Sequence, residues 1–138
     1  MSQDEPARLS GGALLTAISN EIVAIMREHY GRGPHRAKTY VMDDIVVCVL
    51  RNGFTAIEQT MVTGGQSDQV VVMRHEFQKL MADRYKDVIA RLTGRQVVAF
   101  LSQAHLEPDL TLEVFFVDGP LEGFGALEIT PGDGTEAP

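Results

Sequence analysis

The 26 residues between Ser67 and Gly94 contain neither glycine nor proline. Val70, Met73, Phe77, Leu80, Met81, Val88 and Leu92 recur there at the three-and-four spacing of a single helix face. Ser67 as N-cap, Asp68 in the first turn and Gly94 as a left-handed stop would bound the element. At ~1.5 Å per residue it makes a rod of roughly 40 Å, whereas a typical strand spans ~20 Å. A helix of that length must kink, overhang its sheet or meet another chain.

The remaining punctuation orders the other elements around this rod. Residues 1–9 read as a disordered lead. A first helix follows over Ser10 to Tyr30, with Leu15, Ile18, Ile22, Ile25 and Met26 on one face, and Gly31-Arg32-Gly33-Pro34 ends it. Two strands, Ala37 to Met42 and Ile45 to Leu50, flank Asp43-Asp44 in the manner of a hairpin. The second is apolar on both faces, which predicts a central position in its sheet. Thr55-Ala56-Ile57-Glu58 is a capping box that starts a short helix to about Met61. After the long helix come strands Gln96 to Ala104 and Leu110 to Val117, joined by a turn at Pro108. The glycine- and proline-rich residues 119–138 read as a flexible acidic tail, with Phe124, Leu127 and Ile129 as its apolar members.

This order, α-β-β-α(short)-α(long)-β-β, predicts an α+β two-layer sandwich. A single domain over residues 10–118 would carry a four-stranded antiparallel sheet with the helices packed on one face. The other face would then be apolar and open. A homodimer covers such a face, and the overhang of the long helix points the same way.

Charge and composition bound the function. A chain of 138 residues with 44% apolar content suits one soluble core. The net charge is −7; residues 1–9 contribute −1 and residues 118–138 contribute −5, leaving a nearly neutral body. That distribution argues against nucleic acid as a partner and against an anionic lipid surface. The longest aliphatic run, Ile45 to Leu50, falls far short of the ~20 residues of a spanning helix, so direct membrane insertion is not expected. Residues 1–12 carry no secretory leader pattern and the chain has one cysteine, Cys48. The expected location is the cytoplasm, with Cys48 as a buried structural thiol.

No catalytic or metal constellation emerges, and no cofactor is implied. His29, His35, His75 and His105 are scattered, and the fourth residue after His75 is Lys79, where a zinc-protease helix has a second histidine. Arg32, His35, Arg36 and Lys38 cluster after the first helix as a candidate anion or partner site. On the long helix Arg84 falls within ~20° of Phe77 in the apolar stripe. It either snorkels outward or pairs across a subunit contact, with Asp43, Asp44 or Glu113 as the carboxylate. Met73, Arg74, Phe77 and Arg84 are therefore candidate interface residues.

Several of these segments resemble one bacterial family. They are Gly31-Arg32-Gly33-Pro34, Lys38 through Val47, and Phe54-Thr55-Ala56-Ile57-Glu58, followed by Arg74, Leu92-Thr93-Gly94-Arg95 and the Thr111 to Val117 strand. Together they are similar to the Na+-translocating membrane potential-generating system protein C family, MpsC. The resemblance covers about Leu14 to Asp118. It implies a small cytoplasmic protein, without established catalytic residues, associated with a membrane ion-translocating or inorganic-carbon uptake system whose large membrane subunits are separate chains. The combined expectation is a non-enzymatic accessory or regulatory protein, homodimeric, that binds a membrane-system protein. The alternative is a small-molecule or anion-binding sensor built on the Arg32–Lys38 cluster.

Overall fold

A computed structural model describes residues 8–125. The seven elements occur in the predicted order: α1 (Gly11–Tyr30), β1 (Arg36–Met42), β2 (Ile45–Arg51), α2 (Ala56–Thr63), α3 (Ser67–Thr93), β3 (Val97–His105) and β4 (Leu110–Val117). Most of the expected lead and the tail residues Leu127 and Ile129 lie outside the described residues.

Local chemistry sets the element ends. Gly31 (φ 79°) and Gly94 (φ 73°) close α1 and α3 in the left-handed region, which glycine enters without a Cβ clash. In α2 the Thr55 hydroxyl accepts from the Glu58 amide and the Glu58 carboxylate accepts from the Thr55 amide, so both halves of the capping box form. Ser67 is not the N-cap of α3. Gln66 holds that position without a side-chain cap, and the helix begins one residue earlier than expected.

The strands form one antiparallel sheet in the order β1-β2-β4-β3. β2 is central, as its two apolar faces predict, and β4 lies beside it. α1 and α3 pack side by side on one face. Their Leu14, Ile18, Ile22, Ile25, Met26, Tyr85, Val88 and Ile89 meet Val46, Cys48, Leu50, Phe115 and Val117 of the sheet in the core.

The packed domain runs past the expected boundary at Asp118. Leu121 is buried, its amide donates to the Asp43 carbonyl at 3.0 Å, and Phe124 packs against the core. The first part of the presumed tail is therefore structural, because two apolar side chains there join the core. Leu121→Ala is expected to lower unfolding free energy by about 2–4 kcal/mol, as for other buried leucines. Urea denaturation showing a change below ~0.5 kcal/mol would mean the segment is only loosely held.

Candidate functional site

The loop Asn52–Thr55 is gripped from three directions. From the turn after α1, the Arg32 guanidinium donates to the carbonyls of Phe54 (2.7 Å) and Asn52 (2.9 Å). Asp109, from the β3–β4 turn, accepts the Phe54 amide at 2.9 Å. From α3, Arg74 donates to the Gly53 carbonyl at 2.9 Å and forms a two-pronged pair with Glu58, both contacts at 2.6 Å. The Arg74 guanidinium also lies over the Tyr30 ring at 4.1 Å and the Phe54 ring at 5.1 Å. Arg74 is 1% exposed. Burial works to raise the Glu58 carboxyl, but the hydrogen bonds from Arg74 and Thr55 and the Arg74 charge together outweigh it and hold that group below the usual carboxylate range.

This clamp changes the reading of the long helix. Met73 and Leu80, expected in the apolar stripe, are 65% and 76% exposed. Val70, Arg74, Gln78, Tyr85, Val88, Ile89 and Thr93 form the buried face instead. Arg74 is consumed inside its own chain and is unavailable to a subunit contact. Phe77 is half-buried and stacks in a tilted arrangement on Tyr30 at 4.5 Å. Arg84 is exposed, and its carboxylate partner is Glu28 of α1 at 2.7 Å, not Asp43, Asp44 or Glu113. Arg91 pairs with Glu21 two turns further along the same helix–helix seam. Of the predicted interface residues, Met73 alone presents a large apolar side chain fully to solvent.

The Arg32–Lys38 cluster is divided by the fold. Arg32 faces the loop carbonyls. His35 is exposed at the entry to β1, while Arg36 and Lys38 stand on the open face of the sheet. Among the described residues no group of three or more His, Cys, Asp or Glu is placed to hold a metal ion.

The open face is the largest feature that sequence order foresaw. Alternation and register place four rows across the strands. One row is Met42, Ile45, Phe116 and Ala99. The next is Tyr40, Val47, Val114 and Leu101, followed by Lys38, Val49, Leu112 and Gln103. The last is Arg36, Arg51, Leu110 and His105. Among the described residues no helix covers these rows, and Tyr40, Met42 and Leu101 are exposed. Past the Ile45–Phe116 pair, at the same end of the sheet, lie exposed Asp43 in the β1–β2 turn and exposed Asp118 just after β4. The face is thus acidic at one end, apolar through its middle and basic at the other.

Residues 10–119 match the family described as the Na+-translocating membrane potential-generating system, MpsC. The chain belongs to the MpsC family. No curated protein and no solved structure matches it. The segments that carry the MpsC resemblance converge on the clamp: Arg32, Phe54, Glu58 and Arg74 are all parts of it. In this MpsC chain they therefore form a polar fastening of one loop beside the apolar core, and the sequence signal available for it was the capping-box glutamate.

A further buried polar group in the MpsC core is Glu113, which the sequence offered only as a partner for Arg84. Glu113, on β4, is 1% exposed and faces the helices. Ser102 of the neighbouring strand donates to it, and Arg74 is turned away to Glu58. Burial pushes the Glu113 carboxyl up to about 8, against the opposing pull of the Ser102 bond. Beside it in the ladder, Cys48 is buried and burial pushes its thiol up to about 12, as expected for an inert structural cysteine.

Proposed function

We propose that the protein is a non-enzymatic accessory or regulatory component of a Na+-translocating membrane system, acting in the cytoplasm as a homodimer that docks on a membrane-system protein. MpsC membership supports the system. Among the described residues no helix is long and apolar enough to cross a membrane, so the role assigned here is exercised by docking.

The observation that carries this reading is the apolar surface left uncovered in two separate places. One is the open sheet face. The other is the outside of α3, where Met73 and Leu80 lie one above the other at i and i+7. Two surfaces allow a second copy and a membrane-system partner to bind together. The Arg32 side chain, occupied by loop carbonyls, gives the anion-sensor reading no support.

The test is affinity capture from detergent-solubilised native membranes, with mass spectrometry of the retained proteins. An integral membrane subunit of an ion-translocating system is the expected catch. The variant Met73→Asp/Leu80→Asp should retain it at least about fivefold less, since two charges would be forced into an apolar contact. Equal capture by both proteins, or capture of soluble proteins alone, would overturn the reading.

A further inference from the structure

We infer that the occupant of the open sheet face is a second copy of this chain, laid face to face with its strands antiparallel to those of the first. The twofold axis lies in the interface and runs across the strands. This deepens the reading above, on which it rests only in treating the open face as a docking surface.

The open face is polar along its strands. Asp43 and Asp118 lie past the Met42–Ile45–Phe116 row, where Arg95 is engaged by the Pro120 carbonyl at 2.8 Å, and Arg36 and Arg51 stand in the last row at the far end. The rows between them contain no acid, and their only base is Lys38. At the basic end Glu107 and Asp109 occupy the turn beyond His105, but Asp109 is already engaged by the Phe54 amide. A surface with opposite charges at its two ends complements itself in one of the two possible twofold arrangements. With the axis along the strands, the two basic ends would lie together, and so would the two acidic ends. With the axis across the strands, the arginines of each copy meet Asp43 and Asp118 of the other, twice by symmetry.

Size and shape agree. Seven residues at ~3.4 Å by four strands at ~4.8 Å give roughly 450 Å² in projection, or about 900 Å² from two copies. The charged end rows and the upright edge side chains Tyr40, Met42 and Leu101 extend this toward the ~1,000 Å² total that separates specific interfaces from incidental contacts. Two apolar sheet faces stacked at ~10 Å make a sandwich core, and such packings keep strand directions within about 30°.

Sedimentation velocity on the full chain at roughly 10–50 μM tests it. The wild type is expected to run as a dimer of about 30 kDa, twice the 15.1 kDa chain. Leu101→Asp should run as a monomer. Its position is 59% exposed in the single chain, so its far-UV spectrum should match the wild type's. Arg36→Glu/Arg51→Glu should weaken dimerisation at least about tenfold, because four acids would then face each other at each end. Adding Asp118→Lys and Asp43→Asn to that variant should restore the dimer; asparagine tolerates the left-handed backbone at residue 43 (φ 58°).

A monomeric wild type, a dimeric Leu101→Asp, or a charge-swapped variant that fails to recover would overturn the inference. A monomeric wild type that still captured a membrane subunit would sink the face-to-face dimer while leaving the docking role standing. A rescued dimer that captured none would do the reverse.

Discussion

Arg74→Ala is expected to lower the unfolding free energy by about 3–5 kcal/mol, the cost of leaving one member of a buried ion pair without its partner. For a domain of this size that corresponds to a loss of roughly 10–20 °C in Tm. The mechanism is specific. Without the guanidinium, the Glu58 carboxylate loses two hydrogen bonds in a buried site, the Gly53 carbonyl loses its donor, and the Tyr30 and Phe54 rings lose the group between them. Arg74→Lys keeps the charge but not the planar fork, so it should recover only part of the loss. In an Arg74→Met background, Glu58→Gln should be far less harmful than in the wild type, since the charge it removes is no longer paired. Thermal and urea denaturation of the four proteins gives the cycle. Additive effects would show that Arg74 and Glu58 do not stabilise one another.

Glu113→Gln is expected to stabilise the protein at neutral and mildly alkaline pH and to flatten its pH profile. The sign follows from burial. The carboxyl titrates near 4.5 when unfolded and near 8 when folded. Between those values the native state holds a proton that the unfolded state has released, so stability falls as pH rises through this window and levels off above pH 8. Glutamine is neutral throughout and keeps an acceptor for Ser102. At pH 8 the variant's Tm should exceed the wild type's by several degrees, and near pH 4.5 the two should converge. Glu58 acts with the opposite sign. Its lowered pKa contributes stability that is present above its unfolded value and lost as pH falls through the folded one, so it appears as an acid limb in both proteins. Parallel wild-type and Glu113→Gln curves from pH 4.5 to 8 would mean that Glu113 is ionised in the fold over that whole range.

How much of this was legible in the sequence differs from element to element. The capping box of α2, the glycine stops at Gly31 and Gly94, and the two-faced apolarity of β2 each rest on interactions within a few residues. Local patterning therefore placed every element within a few residues of its observed bounds and put β2 inside the sheet. The open apolar face followed as well, because two helices cannot cover both sides of four strands.

Tertiary structure decided which side of α3 faces inward. An apolar stripe through Met73 and Leu80 and a mixed stripe through Arg74, Gln78 and Tyr85 are both available on that helix, and hydrophobicity alone prefers the first. Arg74 turns inward because Glu58, sixteen residues earlier, neutralises it while Tyr30 and Phe54 enclose it, and no local pattern encodes a pairing between separate helices. The pairing of Arg84 with Glu28 was hidden for the same reason, since it depends on how α1 and α3 lie against each other. The isolation of Glu113 arises only when β4 is seated between β2 and β3 under the helices. Short-range chemistry sets where elements begin and end, whereas the partners of a charge that leaves water are chosen by the packing of segments far apart in the chain.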